Sequence, residues 1–385
     1  MKLTSLTLKR IEIPFHVSFK HSSAERSETE SVWVEARSES GAVGFGEGCP
    51  RSYVTGEDLA SARAFFLDNR ASLIGEVTDL DTLVGWMKDR QADLDENPAA
   101  WCAIELALLD LAAREEGRSV EALLGTSELR GAFRYSAVLG DSGIDAFRAT
   151  ATRYLEMGFT DFKLKLSGRL EHDREKIAWL TDNVTGNVTD NAEAVRIRLD
   201  GNNLWTDVSK SARFLKALAH PFFGIEEPLG ANRYDDLATL GKATGFPMIL
   251  DESLLRVGQL HELTDEPALW MINLRVSKMG GLLRSLEVMQ AAGSLGIPII
   301  IGAQVGETSL LTRAALTLAN HHADQVLAQE GAFGSLLLTA DVCEPPLMFG
   351  AAGILHADDA GLVPDAGFGL RVSKPLSFLR PFVDP

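Results

Sequence analysis

Residues 162–166 read Phe162-Lys163-Leu164-Lys165-Leu166, and residues 195–200 read Val195-Arg196-Ile197-Arg198-Leu199-Asp200, with a helical stretch over 171–182 between them. Both short segments alternate charged and apolar side chains, the period of a strand with two unlike faces. Strand, helix, strand is the repeating unit of a parallel sheet. The unit recurs outward in both directions. Residues 135–139, 222–226, 248–251, 270–275, 297–301 and 325–329 read as further strands, and 145–157, 209–219 and 282–294 as helices between them. Eight such units spaced by about 25–35 residues predict a (β/α)8 barrel. A doubly wound sheet is disfavoured, because no strand runs into GxGxxG and the Walker A pattern is absent. Gly44-Phe45-Gly46-Glu47-Gly48 lies between strands, which is the wrong context for a nucleotide loop.

The first third has another texture. Residues 4–15 and 31–37 alternate as strands do, and 41–48 is a glycine-rich turn into a further strand. Helices follow over 57–69, 79–91 and, after the start signal Asn97-Pro98, over 99–115. The last of these is apolar around most of its circumference, so it is expected to be deeply buried. The expected fold is therefore α/β: an N-terminal α+β domain over 1–128, a modified (β/α)8 TIM barrel over 129–345, and a C-terminal segment over 346–385 that returns to the first domain.

The chain has 385 residues, 45% of them hydrophobic and 24% charged, so it has the material for a full core. Asp plus Glu outnumber Lys plus Arg by 54 to 37, a formal charge of −17, which argues against a nucleic-acid partner. The three cysteines, Cys49, Cys102 and Cys343, are too few and too scattered for a disulfide framework. No apolar run approaches a membrane span, and the N-terminus reads as a strand, not a signal peptide. A cytoplasmic protein with no membrane partner is expected.

In a barrel the chemistry sits at the C-terminal ends of the strands. At the second strand, alternation sends Phe162, Leu164 and Leu166 toward the helices and Lys163 and Lys165 toward the barrel axis. Two ammonium groups in one mouth repel, so one is expected to give up its proton near neutral pH, as a lysine base must. Strands three, four and five end in Asp200, Glu226 and Asp251, at intervals of 26 and 25 residues. Three carboxylates on adjacent strand ends repel unless a cation lies between them, and an all-oxygen set suits Mg2+.

Taken together, the segments 162–166, 199–203 (LDGNN), 224–229 (GIEEPL), 249–253 (ILDES) and 273–281 (NLRVSKMGG) resemble the enolase superfamily, and within it the muconate lactonizing enzyme subgroup. The N-terminal GFGEG, the TGE at 55–57 and AIELALLDLAAR at 103–114 resemble that subgroup's capping domain. The resemblance implies a small carboxylate substrate bound to Mg2+, loss of its α proton to a base, and an enediolate held by the metal. It implies Lys165 as the base with Lys163 as its partner, and Asp200, Glu226 and Asp251 as metal ligands. It implies a symmetric homo-oligomer as well.

One departure stands out. Two-base members carry a lysine at the end of strand six, four residues ahead of a GG pair, where this chain has Arg275. Arginine stays protonated, so it is suited to holding a carboxylate or stabilising negative charge and unsuited to acting as a base. Glu307, after strand seven, is expected to pair with Arg275, to assist proton transfer, or to serve as a helix N-terminal charge. His21 and Arg26, in the loop that closes over substrates in this family, together with Asn202 and Lys278, are candidate substrate contacts. The Asp-x-Asp that marks dipeptide epimerases is not evident at strand eight, where Thr339-Ala340-Asp341 offers a single acid. A muconate cycloisomerase-like isomerase is the first expectation. Dehydration or epimerisation of a small carboxylate or amino-acid derivative is the second, and a catalytically lapsed carboxylate-binding protein the third.

Overall fold

In the computed structural model, which describes residues 1–21, 24–185, 195–358, 366–373 and 377–383, eight parallel strands follow one another in chain order around one curled sheet. They are Ala137–Leu139, Asp161–Lys165, Arg196–Asp200, Ile225–Glu226, Met248–Leu250, Trp270–Leu274, Ile299–Ile301 and Val326–Gln329. The Ser136 amide donates to the Gln329 carbonyl at 2.7 Å and bridges the seam between the eighth strand and the first. Helices Ile144–Glu156, Leu170–Thr185, Val208–Ala217, Tyr234–Thr244, Leu282–Ser294 and Ser309–His321 cover the outside, and a 3-10 segment, Val257–Leu263, follows strand five. The fold is a modified TIM barrel carrying an N-terminal α+β domain.

Most strands fall within the predicted windows. The fourth is shorter, two residues instead of five, because Glu227 has φ 36° and turns the chain aside directly after Glu226. A left-handed glutamate is costly and persists only where its surroundings hold it. Here the Glu227 carboxylate accepts from the amides of Asp251 (2.7 Å) and Ser253 (2.8 Å) and from the Ser253 hydroxyl (2.9 Å). The strained residue thus ties the end of strand four to the turn that carries Asp251.

In the N-terminal domain, Leu3–Ile11, Ser31–Ser38 and Val43–Gly48 form an antiparallel meander, and Leu379–Val383 from the far end of the chain pairs with Leu3–Ile11. Helix Pro98–Glu115 lies on this sheet with buried residues all around it, from Pro98 to Ala113. The glycines of GFGEG allow the contact. A Cβ at Gly46 would lie 1.9 Å from the Ala103 carbonyl oxygen, so strand and helix backbones touch directly.

Two buried carboxylates of this domain reach the N-termini of barrel helices. Glu105 accepts from the amides of Leu282 (2.6 Å) and Leu283 (2.9 Å). Glu47 accepts from the Thr308 amide (3.1 Å) and hydroxyl (2.6 Å) at the start of Ser309–His321. Orphan amides and the helix dipole both favour an anion there. Gly281 admits Glu105, since a Cβ on it would meet Glu105 Oε2 at 1.9 Å. Burial nevertheless pushes Glu47 up to about 8 and Glu105 up to about 7, against an ordinary 4.5.

Gly46→Ala should destabilise the protein by about 2–3 kcal/mol in chemical denaturation, since neither backbone can give way. Gly75→Ala, with nothing within 4 Å of the new Cβ, should be neutral or slightly stabilising. Glu105 binds its proton more tightly folded than unfolded, so its contribution to stability is fullest below about pH 4.5 and falls as pH rises to about 7. Glu105→Gln has no such loss. Denaturation at pH 5 and at pH 8 should therefore find the variant gaining on the parent by roughly 2–3 kcal/mol as pH rises.

Candidate active site

Sheet register places the acids. Lys165 pairs with Asp200, Asp200 with Glu226, and Glu226 with Ile249, so Asp251 stands two residues farther along its strand direction and on the same face. Phe162 and Leu164 are fully buried toward the helices, and Lys163 and Lys165 line the opposite face. Lys163, Lys165, Asp200, Asn202, Glu226, Asp251, Arg275 and Glu307 all border one cavity of about 530 Å³ at the C-terminal end of the barrel. Tyr53, Phe333 and Leu336 to Leu338 supply its apolar rim.

Within it, cations and carboxylates alternate. Lys163 Nζ lies 2.7 Å from Glu226 Oε1, 3.2 Å from Asp200 Oδ2 and 3.3 Å from Glu330 Oε2. Burial acts to lower its pKa, but these three carboxylates outweigh burial and raise it. Repulsion between the two lysines therefore does not free Lys163 of its proton, in keeping with its expected place as the partner and not the base. The acids next to it win. Lys165 Nζ is 3.6 Å from Asp200 Oδ2 and donates to Asn202 Oδ1 at 3.4 Å; 13% of its side chain is exposed. Asn202, at φ 44° in the turn after strand three, donates to Asp200 Oδ1 at 2.6 Å.

Arg275 pairs with Asp251, approaches Glu226 Oε1 at 3.8 Å and donates to Gln304 Oε1 at 3.0 Å. Its ion pair is with Asp251 and not with Glu307. The Glu307 carboxylate accepts from the Gln304 amide at 2.6 Å, and burial pushes it up to about 7. Lys278 does not border the cavity. It is fully buried behind Asp251 and donates to Asp251 Oδ1 (3.0 Å), the Asp251 carbonyl (2.7 Å) and the Asn273 carbonyl (2.6 Å). It therefore positions Asp251 and is not placed to touch a substrate. Arg26 pairs with Glu30 at 2.8 Å and donates to the Tyr53 hydroxyl at 3.2 Å, one side chain removed from the cavity. The side chain of His21 lies outside the described residues.

Two members of the site escaped the sequence reading. Strand eight ends at Gln329, so the acid at its tip is Glu330, not Asp341; Asp341 instead accepts from the Cys343 amide at 3.0 Å. Glu330 accepts from Arg198 Nη2 at 2.7 Å, and Arg198 also donates to Asp161 Oδ1 at 2.7 Å. Burial raises the pKa of Glu330, but Lys163 and Arg198 overcome that and bring it down to about 2. The signals were present in the sequence: Arg198 shares the parity of Asp200 on strand three, and Glu330 directly follows the last residue of strand eight.

Among the described residues, no three His, Cys, Asp or Glu side chains converge as a ready-made metal cage. Lysine and arginine groups lie against most of the oxygens such a cage would use. Glu226 Oε2 is buried and has no hydrogen-bond partner among the described residues. An all-oxygen set with one orphaned buried acceptor fits a hard divalent cation better than a transition metal.

The model of the mandelate racemase/muconate lactonizing enzyme N-terminal domain matches residues 4–125, and that of the enolase C-terminal domain-like fold matches 146–373. The chain belongs to the enolase superfamily, in its muconate lactonizing enzyme subgroup. It is 28% identical over 323 residues to an L-Lys-D/L-Arg epimerase of Methylococcus capsulatus, covering 83% of this chain and 87% of that protein. It is 24% identical over 345 residues to an N-succinyl-L-Arg/Lys racemase of Bacillus cereus, covering 89% and 90%. A dipeptide epimerase from Methylococcus capsulatus, solved with Mg and L-Arg-D-Lys, superposes with TM-score 0.80 at 26% identity over 97% of this chain and 100% of that one. The relatives are epimerases and racemases, and among those named here none is a cycloisomerase. The chain is an enolase-superfamily enzyme.

Removing one partner of a buried pair leaves the other charge uncompensated. Lys278→Met should therefore cost about 3–5 kcal/mol in denaturation. If Lys278 instead contacted substrate, the variant would show a raised KM at undiminished stability.

Proposed function

We propose that this enzyme moves the hydrogen α to the carboxylate of a small amino-acid derivative, in the racemase and epimerase class of its relatives, with Lys165 as the base on one face. The racemase and epimerase relatives support the second reaction expected from the sequence over the cycloisomerisation placed first there. The observation that carries the reading is the ring of Asp200, Glu226 and Asp251 beside Lys165 in one cavity. Mg2+, held by those three acids, would supply positive charge against the substrate carboxylate and so acidify the α hydrogen. Lys165 takes that hydrogen to Nζ. Lys163, kept protonated by its three carboxylates, adds a fixed positive charge beside the developing anion. Glu307 and Glu330 border the same space.

Strands two and six are four apart in a ring of eight, so Lys165 and Arg275 face each other across the cavity. Arg275 holds its proton: burial acts to lower its pKa, and Asp251, Glu226 and Glu252 raise it. It stabilises charge on the second face and accepts no proton there. Removal and return of hydrogen on the Lys165 face are therefore faster than inversion. Among the described residues no helix is long and apolar enough to cross a membrane, and all three cysteines are free and buried. These features support a cytoplasmic location. The family resemblance supports a homo-oligomer.

In deuterium oxide with Mg2+, a panel of N-acyl amino acids and dipeptides should reveal a substrate whose α hydrogen exchanges faster than its configuration inverts. Lys165→Ala should lower exchange at least about 100-fold with Mg2+ binding retained. Arg275→Lys should raise inversion relative to exchange. Exchange at the parent rate in Lys165→Ala would rule out the base, and parent inversion keeping pace with exchange would rule out the single face. Both are read by proton NMR and chiral chromatography.

A further inference from the structure

The wall facing Lys165 holds a pair of side chains for which the reaction above has no use beyond charge. Arg275 Nη1 donates to Gln304 Oε1 at 3.0 Å. A guanidinium has donors only, so this bond fixes the amide: Oε1 faces Arg275 and the NH2 group faces away. Gln304 is 3% exposed and borders the same cavity as Lys165, and its Nε2 has no hydrogen-bond partner among the described residues. Its backbone is pinned as well, through the 2.6 Å bond from its amide to Glu307 Oε1. A buried amide donor held rigidly without an acceptor is costly and uncommon. The cost has a purpose if the acceptor arrives with the substrate.

We infer that Gln304 Nε2, oriented by Arg275, is a specificity-determining donor that receives an uncharged carbonyl oxygen of the substrate. This rests on the proposed reaction for the position of the reacting carbon. The local charges select the acceptor. The Arg275 guanidinium is matched by Asp251 and Glu226, and Glu252 and Glu307 border the same wall. A second carboxylate entering there would meet acids. An amide or ketone oxygen accepts strongly without adding charge. The subsite thus favours a carboxylate whose α substituent bears a carbonyl over one bearing a plain alkyl chain, and it disfavours a second anion at that position.

Isothermal calorimetry on the Mg2+-loaded protein tests this with 4-oxopentanoate and pentanoate, which share chain length and carboxylate and differ by one carbonyl oxygen. The parent should bind 4-oxopentanoate roughly tenfold more tightly, the worth of one hydrogen bond. Gln304→Leu should bring the two affinities to about the same value by weakening the ketone alone. Gln304→Glu keeps an oxygen for Arg275 and replaces the donor with an acceptor, so it should reverse the preference and guards against a Leu variant that fails to fold. Equal affinities in the parent, or a preference that survives in both variants, overturns the inference. If the preference is present but no substrate exchanges its α hydrogen, the reaction reading fails and Gln304 stands. If exchange is present without the preference, the inference alone fails.

Discussion

Lys163 sits within hydrogen-bond or ion-pair reach of three carboxylates from three other strands, and the site is organised around that contact. Four acids at strand ends inside one barrel would repel each other apart in a low-dielectric interior. They are tolerated because cations are interleaved with them. The order runs Asp161, Arg198, Glu330, Lys163, then Asp200 and Glu226, then Arg275, Asp251 and Lys278, each charge next to its opposite. Removing any inner member exposes two neighbours of like sign. Such a chain closes only where parallel strands in fixed register bring alternate residues to one axis. The barrel is thus a requirement of the chemistry and not merely its support.

Outside the ring, unusual backbone holds the acids where they are needed. Asn202 and Glu227 both have positive φ, at the ends of strands three and four. Each repays its strain with side-chain bonds to a neighbouring acid or to that acid's backbone. The N-terminal domain fixes the far side. Glu47 and Glu105 are buried on the amides of the helices that follow strands seven and six, so the loops carrying Gln304, Glu307 and Arg275 cannot drift from the domain above them. Burial of these carboxylates is unfavourable by itself, as their raised pKa values indicate. Rigidity at the mouth is what the arrangement gains.

Much of this was legible in the sequence because period-two alternation reports which face a side chain takes. Lys163 and Lys165 were found that way, Asp200, Glu226 and Asp251 by their recurrence at successive strand ends, and Arg275 through the family resemblance, and the structure gathers all six in one cavity. Charge state was not legible, since it depends on neighbours from other strands: the Lys163 proton is held by Asp200, Glu226 and Glu330, which lie 37 to 167 positions away in the chain. Lys278 was misread as a substrate contact because one helical turn, Val276–Met279, follows strand six and carries the ammonium behind Asp251 instead of into the cavity. Glu330 was missed although the eighth strand was expected over 325–329 and lies at Val326–Gln329, because its acid was sought as an Asp-x-Asp pattern, at Asp341, and not at the residue that directly follows the strand.

Arginine at position 275 is more than the loss of a base. A lysine there would offer one compact charge to Asp251 and could give up its proton to a substrate. The planar guanidinium instead spans two partners, Asp251 on one nitrogen and Gln304 on the other, and so orders an amide that a lysine could not orient in the same way. The replacement converts one wall of the cavity from a proton acceptor into a fixed array of donors. Symmetric two-base inversion and strong recognition of a substrate oxygen make opposite demands on this wall: the first needs a group that changes charge within each turnover, the second a group that never does. Arg275, its charge matched by Asp251 and Glu226, suits the second demand, and the proposed reaction assigns the first to Lys165 on the opposite wall.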